Sequence, residues 1–215
     1  MVEVFRDRLH AGRLLGEKLL SLRKSWEKAI VLGIPRGGVV TAKAVAEKLG
    51  VPLNAIVSRK LRAPGNPELG IGAVSEYDAL WINQGLVEEL GISEEYLNQE
   101  ISFQRKRVSE YVAKFRGGLA LQIPGLDAII VDDGIATGAT VIVAAIAARR
   151  AGASRVIIAT PVISDDVVSL VREYCDELVW VYKPLLLYAV GMYYQDFSEV
   201  TDEQVVDILK HLQPS

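Results

Sequence analysis

Two adjacent carboxylates, Asp132 and Asp133, close an apolar run (Ala128, Ile129, Ile130, Val131) and open a loop of small and hydroxyl residues: Gly134, Ile135, Ala136, Thr137, Gly138, Ala139 and Thr140. The apolar run reads as a buried strand, so the acids stand at its C-terminal end, where an α/β sheet opens its binding crevice. A helical run, Val141 to Arg150, follows directly. N–H groups at the start of such a helix are unpaired and point outward, which makes the loop a cradle for phosphate. Carboxylates beside an anion site make sense when the ligand is both a polyol and a phosphate, because they accept hydrogen bonds from sugar hydroxyls. A ribose 5-phosphate fits that description. Solvated acids with one capping the next helix would explain Asp132, Asp133 or Thr137 singly, but not the Thr-Gly-Ala-Thr turn that follows. The competing phosphate motifs fail: there is no Gly-x-x-x-x-Gly-Lys-Ser/Thr and no Gly-x-Gly-x-x-Gly, since Gly70-Ile71-Gly72 lacks the third glycine.

Gly33-Ile34-Pro35-Arg36-Gly37-Gly38 carries the second constellation, between a short strand and a helix. Two successive glycines let a ligand approach the backbone, the helix start favours an anion, and Arg36 adds a forked cation suited to phosphate oxygens. Alone, the same residues suit a tight turn with a solvent-facing Arg; beside the Asp-Asp loop they favour an anion site. Arg59, Lys60 and Arg62 stand in a stretch with prolines and a glycine, which predicts a mobile loop over Arg59 to Pro67. Arg105, Lys106, Arg107, Lys114 and Arg116 share a helix with Glu94, Glu95, Glu100 and Glu110, which predicts a solvated, salt-bridged face and no site.

The elements that position these groups alternate between strand and helix. Strands are predicted at Ala29–Ile34, Pro52–Ser58, Leu69–Ser75, Ala79–Ile82, Ala128–Val131, Val156–Thr160 and Leu178–Tyr182, with a hairpin turning at Tyr77-Asp78. Helices are predicted at Arg6–Lys24, from the glycine turn to near Gly50, at Ser93–Arg116, Thr140–Arg150, Asp165–Tyr174 and Thr201–Leu212. That order implies a parallel sheet covered on both faces. At 215 residues, 50% hydrophobic and 24% charged, the chain suits one globular domain. A net charge of −3 argues against nucleic acid as an obligatory partner. The sole cysteine, Cys175, excludes an internal disulfide and fits a reducing cytosol. Met1 to Arg8 already holds four charged residues, unlike a signal peptide, and the longest apolar run, Val141 to Ala148, is too short to cross a membrane. With only His10 and His211, near opposite ends, a Ser–His or Cys–His nucleophile and a His-rich metal site are not expected.

The strand, Asp-Asp, Gly-Ile-Ala-Thr-Gly-Ala-Thr sequence resembles the 5-phosphoribosyl-1-diphosphate (PRPP) motif of the type I phosphoribosyltransferases. Ile34 to Val39, Arg59-Lys60-Leu61, Pro64 to Leu69 and Ala189 to Phe197 extend the resemblance over most of the chain, toward a bacterial group of predicted phosphoribosyltransferases without an assigned acceptor. The resemblance implies an α/β fold: a single domain over 1–215 with a mostly parallel central sheet flanked by helices, a helical insertion over about 84–117 and a small hood over about 183–200. It implies PRPP bound by Asp132 to Thr140, diphosphate bound by Pro35, Arg36, Gly37, Gly38 and Arg59, and a catalytic lid on which Lys60 or Arg59 neutralises the leaving diphosphate alongside Arg36. A cis Pro35–Arg36 peptide is expected, as this loop often has one in the family. Mg²⁺ is expected as cofactor, held mainly by PRPP with no dedicated protein ligands.

Tyr188, Val190 and Asp196 fall where the hood of purine enzymes meets the base, and so are candidates for a nitrogenous acceptor; Tyr193 and Tyr194 equally suit packing of an apolar patch. Ala136 stands where hypoxanthine-guanine enzymes carry an acid, so the likeness is to adenine or orotate enzymes instead. The implied activity is transfer of ribose 5-phosphate to a nitrogen of a base or amine, in nucleotide metabolism in the cytoplasm, with no membrane partner and a homo-oligomer left open. A non-catalytic PRPP or nucleotide sensor of the same fold, and an enzyme that hydrolyses or rearranges a ribose phosphate, are the rival readings.

Overall fold

The computed structural model describes residues 5–23 and 25–211. The predicted first and last helices ran to Lys24 and Leu212, which lie outside the described residues, as do Met1 to Val4. Numbered in chain order, strands β1 (Ala29–Gly33), β2 (Leu53–Ala55), β6 (Asp127–Val131), β7 (Arg155–Val162) and β8 (Glu177–Tyr182) form a sheet in the order β2-β1-β6-β7-β8. Every neighbouring pair is parallel. Strands β3 (Ser58–Ala63), β4 (Asn66–Ser75) and β5 (Leu80–Ile82) form a separate antiparallel sheet. Helices α1 (Arg8–Leu22), α2 (Gly37–Leu49), α3 (Gln84–Glu89), α4 (Glu94–Arg116), α5 (Ala139–Arg150), α6 (Val168–Arg172) and α7 (Asp202–His211) complete the chain.

Alternation along the central strands divides the core in two. Val31, Ile129 and Ile157 face Leu15, Leu19, Val39 and Val45 of α1 and α2. Ile30, Leu32, Ile130 and Ile158 face Ile142 and Ala145 of α5 and Val171 of α6. Because both faces are covered, β1 and β6 read as continuous apolar runs with no polar alternation. The expected architecture, a single α/β domain with a parallel central sheet flanked by helices, is the one observed.

Local signals set the element ends. Asp7 accepts the His10 N–H (2.7 Å) to start α1, and Ser93 accepts the Tyr96 N–H (3.2 Å) to start α4. Thr201 and Gln204 exchange side-chain and backbone hydrogen bonds (2.8 and 3.2 Å) as a capping box before α7. The β4–β5 hairpin turns at Tyr77-Asp78, as predicted, with φ of 56° and 53°, the pair of positive values a type I′ turn requires.

Three sequence expectations are corrected. The single strand predicted over Pro52–Ser58 is divided between two sheets: β2 ends at Ala55 and β3 begins at Ser58. Ile56 and Val57 between them are fully buried, so hydropathy shows no break. The mobile loop predicted over Arg59–Pro67 is instead the β3–β4 hairpin, turning at Pro64-Gly65. Arg59, Lys60 and Arg62 lie within β3, Pro64 and Gly65 form the turn, and Pro67 stands at the start of β4. On α4, Arg105, Arg107 and Lys114 form exposed ion pairs as expected, but Glu100 and Arg116 are buried. Among the described residues no helix is long and apolar enough to cross a membrane.

Candidate functional site

The register of the central sheet brings the two candidate loops together. Gly33 at the end of β1 pairs with Val131 at the end of β6, and the Ile34 N–H donates to the Val131 carbonyl (2.9 Å). The chain then leaves both strands side by side at their C-terminal ends, the crevice of an open α/β sheet. A cleft of about 320 Å³ opens there. Pro35, Arg36 and Gly37 line it from one loop, Asp132, Asp133 and Thr140 from the other, and Arg59 and Lys60 from β3. The Pro35–Arg36 peptide is cis, as expected. A Cβ on Gly37 would lie 2.0 Å from Asp133 Oδ2, and one on Gly38 would lie 2.9 Å from Asp132 Oδ1. Only glycine lets this loop close on the acids, and the bare backbone is left facing the cleft.

The acids are held differently. Asp132 Oδ1 accepts the Asp133 N–H (2.9 Å). Asp133 Oδ2 accepts from Arg8 Nε (2.7 Å), and the Asp133 carbonyl accepts from the buried Tyr194 hydroxyl (2.6 Å). Burial raises the pKa of Asp132 well above the usual aspartate range, and the neighbouring Asp133 charge adds to it. Burial raises Asp133 as well, against the Arg8 guanidinium, which holds it down. The loop after them is pinned by the Ile135 N–H to Val162 O (2.9 Å) and the Ser164 N–H to Ile135 O (3.0 Å). Gly138, with φ of 81°, is the N-cap of α5. Among the described residues, the N–H groups of Ala136, Thr137, Gly138, Ala139 and Thr140 meet no backbone acceptor. They are the open donors of a helix start.

The cations sit on the opposite wall. Arg36 Nη2 pairs with Glu199 Oε1 (2.7 Å), an exposed contact. Lys60 lays its stem on Gly70 and donates to the Glu68 carbonyl (2.8 Å). Arg59, half-buried, has its pKa lowered by burial; Tyr111 opposes, and the charges of Arg107, Arg62 and Arg36 add to the lowering. Arg62 and Gln104 both bond to Glu100 of α4 (3.0 and 2.9 Å), tying the hairpin to the helix.

The hood residues scatter. Val190 packs directly on the PRPP-like loop, since a Cβ on Gly134 would lie 2.3 Å from Val190 Cγ1. Tyr188 is 83% exposed. Asp196 borders a different groove, with Asp7 and Lys43, and accepts the Ser198 N–H (2.9 Å). The structure therefore gathers Pro35 to Gly37, Arg59, Lys60, Asp132, Asp133 and Thr140 around one cleft. Gly38 packs on Asp132, Gly134 to Ala139 join the acids to Thr140 without lining it, and Tyr188, Val190 and Asp196 lie outside the lining. Sequence reasoning passed over Arg8, Tyr194 as a partner of Asp133, and Gln104, which lines the cleft. Arg8 is 125 residues from Asp133 and carries no local signal.

An acid pair stands beside open amides at the C-terminal edge of a parallel sheet, and the family follows from the chain itself. The phosphoribosyl transferase domain model matches residues 7–181. The protein belongs to that family. "Putative phosphoribosyl transferase Rv0571c" of Mycobacterium tuberculosis is 38% identical over 209 residues, 97% of this chain and 47% of that protein. The chain thus spans about half the length of the curated relatives it matches. The crystal structure of TT1426 from Thermus thermophilus is similar at 40% identity and a TM-score of 0.79, covering 98% of this chain and 100% of that one. The AQ2163 protein of Aquifex aeolicus shares the fold alone, at 12% identity and a TM-score of 0.52, over 94% of this chain and 84% of that one.

Proposed function

We propose that the protein binds PRPP in this cleft and transfers its ribose 5-phosphate to a nitrogen of a base or amine, releasing diphosphate. One observation carries the reading: the acid pair, Thr140 at the end of the loop with open amides, and the glycine loop at Arg36 line a single cleft. The amides hold the 5-phosphate, and Asp132 and Asp133 accept hydrogen bonds from the ribose hydroxyls. The backbone of Gly37 and Gly38 cradles the diphosphate, with Arg36, Arg59 and Lys60 supplying charge. Gly37 lines the cleft with backbone alone, beside Arg36, Arg59 and Lys60, a lining that suits a diphosphate carrying magnesium on its own oxygens. Magnesium bound there neutralises leaving-group charge, and no protein side chain is assigned to it.

In the reaction the anomeric carbon–oxygen bond to diphosphate breaks, the carbon–nitrogen bond forms, and the nitrogen's proton passes to water. The protein's share is to fix both partners and to stabilise charge as it develops on diphosphate. The acceptor approaches from the hood, past Val190 and Tyr188. A role in nucleotide metabolism in a reducing cytosol belongs to the same proposal.

Calorimetric titration with PRPP and Mg²⁺, followed by diphosphate release across bases and amines, tests the reading. Arg36→Ala and Lys60→Ala are expected to lower turnover more than PRPP affinity, because charge on diphosphate grows only as it departs. Tight binding with no diphosphate release for any base, amine or water would replace the transferase by a PRPP sensor. Failure of the wild-type protein to bind PRPP would remove both.

A further inference from the structure

We propose that Arg8 is a positioning residue for the ribose acids: it fixes one oxygen of Asp133, leaves the other for a ribose hydroxyl, and ties the site to the end of the hood. The inference rests on the ribose-binding reading of Asp133 and adds a residue outside every stretch that carried the sequence resemblance. Arg8 stands in the first turn of α1, and its side chain is only 11% exposed. Each part of the guanidinium has a separate partner. Nε donates to Asp133 Oδ2 (2.7 Å), Nη1 donates to the Ser198 carbonyl (2.8 Å), and the plane lies 3.8 Å from the Phe197 ring centroid. A fork held at three points cannot swing with its partner, so the carboxylate it grips is fixed too.

The surroundings make this the structural link between site and hood. A Cβ on Gly37 would lie 2.7 Å from Arg8 Nε, so the diphosphate loop closes over the Arg8–Asp133 pair. The chain just before Arg8 runs along the hood: the Phe5 N–H donates to Tyr193 O (2.7 Å), and the Gln195 and Asp196 N–H groups donate to Phe5 O and Arg6 O (2.8 and 2.9 Å). Tyr194 then bonds back to the Asp133 carbonyl. Asp7, the acid next to Arg8 in sequence, is engaged in capping α1.

Charge supports the same assignment. Asp133 faces Arg8 from α1, Asp132 from its own loop and the Tyr194 phenol from the hood, and Arg36, Arg59 and Lys60 line the same cleft. Burial drives Asp133 toward its neutral form, and Arg8 is the cation that opposes this directly. Without Arg8 the acid would be protonated at a higher pH and would lose an acceptor for the ribose.

The experiment compares wild type, Arg8→Met and Arg8→Lys for affinity to ribose 5-phosphate without metal, from pH 5.5 to 8.5 on the order of half-unit steps, alongside thermal unfolding. Taking the ratio of variant to wild type at each pH removes titration of the ligand itself. Arg8→Met is expected to bind at least about tenfold more weakly at the acid end, with the deficit shrinking as pH rises. Arg8→Lys, which keeps the charge but not the fork, is expected to bind more weakly at every pH with a ratio that does not slope. Equal affinity of Arg8→Met and wild type across the range overturns the proposal. So does a pH-independent loss that merely tracks a lower unfolding midpoint, which would give Arg8 a packing role only. If wild type itself does not bind ribose 5-phosphate, the ribose reading of Asp133 fails first, and the inference falls with it.

Discussion

Two carboxylates side by side and mostly out of water oppose each other's ionisation, and at this site the fold gives a cation to one of them. Asp133 is paired with Arg8, whereas Asp132 accepts the Asp133 N–H and, among the described residues, forms no ion pair. A group whose pKa is raised on folding binds protons more tightly in the native state, so stability falls as pH rises from its unfolded toward its folded pKa. Above that window the full penalty is present; below it there is none. Asp132→Asn keeps an oxygen for the Asp133 N–H and removes the charge, so it is expected to raise the unfolding temperature at pH 8 and to match wild type near pH 3. It should also weaken PRPP by about 1–3 kcal/mol, the range for losing a charged hydrogen bond. Scanning calorimetry and titration check the two halves separately, and a lower unfolding temperature at pH 8 would show that the charge is not a burden. The acids, the glycines and the helix start were legible in the sequence because their chemistry is local: a few neighbouring residues define strand end, loop and amide cradle. Arg8 was not, because its meaning comes from a contact across 125 residues.

Between residue and fold lies the β3–β4 hairpin, which carries Arg59 and Lys60 into the cleft. Its register and its attachment to α4 set where those cations point. Glu100, 8% exposed, accepts from the Arg62 N–H (3.1 Å), from Arg62 Nε (3.0 Å) and from Gln104 Nε2 (2.9 Å). Burial pushes its pKa up, but the hydrogen bonds from Arg62 and Gln104 prevail and leave it below the usual glutamate range. A depressed pKa contributes stability that is present above the unfolded value and is lost as pH falls through the folded one. Glu100→Ala is therefore expected to cost about 1–3 kcal/mol near neutral pH, with a smaller difference in acid. Faster amide exchange is expected in β3 and β4, with little change in β6 or β7. Uniform exchange across both sheets would show that Glu100 does not serve the hairpin in particular. Strand-to-helix alternation made the central sheet readable in advance. The hairpin was hidden because its cations, prolines and glycine have the composition of a loop. The break after Ala55 was hidden because the linking Ile56 and Val57 are as apolar as the strands they join.

At the scale of the whole molecule, the parallel sheet, the hairpin sheet and helix α4 meet at one buried ion pair. Arg116, at the last turn of α4, pairs with Glu76 beside the β4–β5 turn, and the two side chains are 4% and 7% exposed. Arg116 Nη1 also donates to Ala55 O at the end of β2 (3.1 Å), and Glu76 Oε1 accepts the Val57 N–H (2.9 Å). The pair thus satisfies the backbone at the point where the chain leaves one sheet for the other. Charge spacing along α4 could not reveal this, since Arg116 looks like one more cation at the end of a solvated helix, where it also suits the helix dipole. Breaking such a pair on one side leaves a buried charge alone, which costs about 3–5 kcal/mol, whereas removing both charges together costs much less. Arg116→Met is accordingly expected to lose about 3–5 kcal/mol in urea unfolding, and adding Glu76→Gln to recover part of it. The amide of the double variant can still accept from Val57, so the sheet crossing keeps one of its backbone partners. A loss below about 1 kcal/mol in Arg116→Met would instead be the behaviour of a solvated surface pair. In that case the three elements would have to be held together by their apolar contacts alone, Val108 and Phe115 of α4 against Val57 and Leu61.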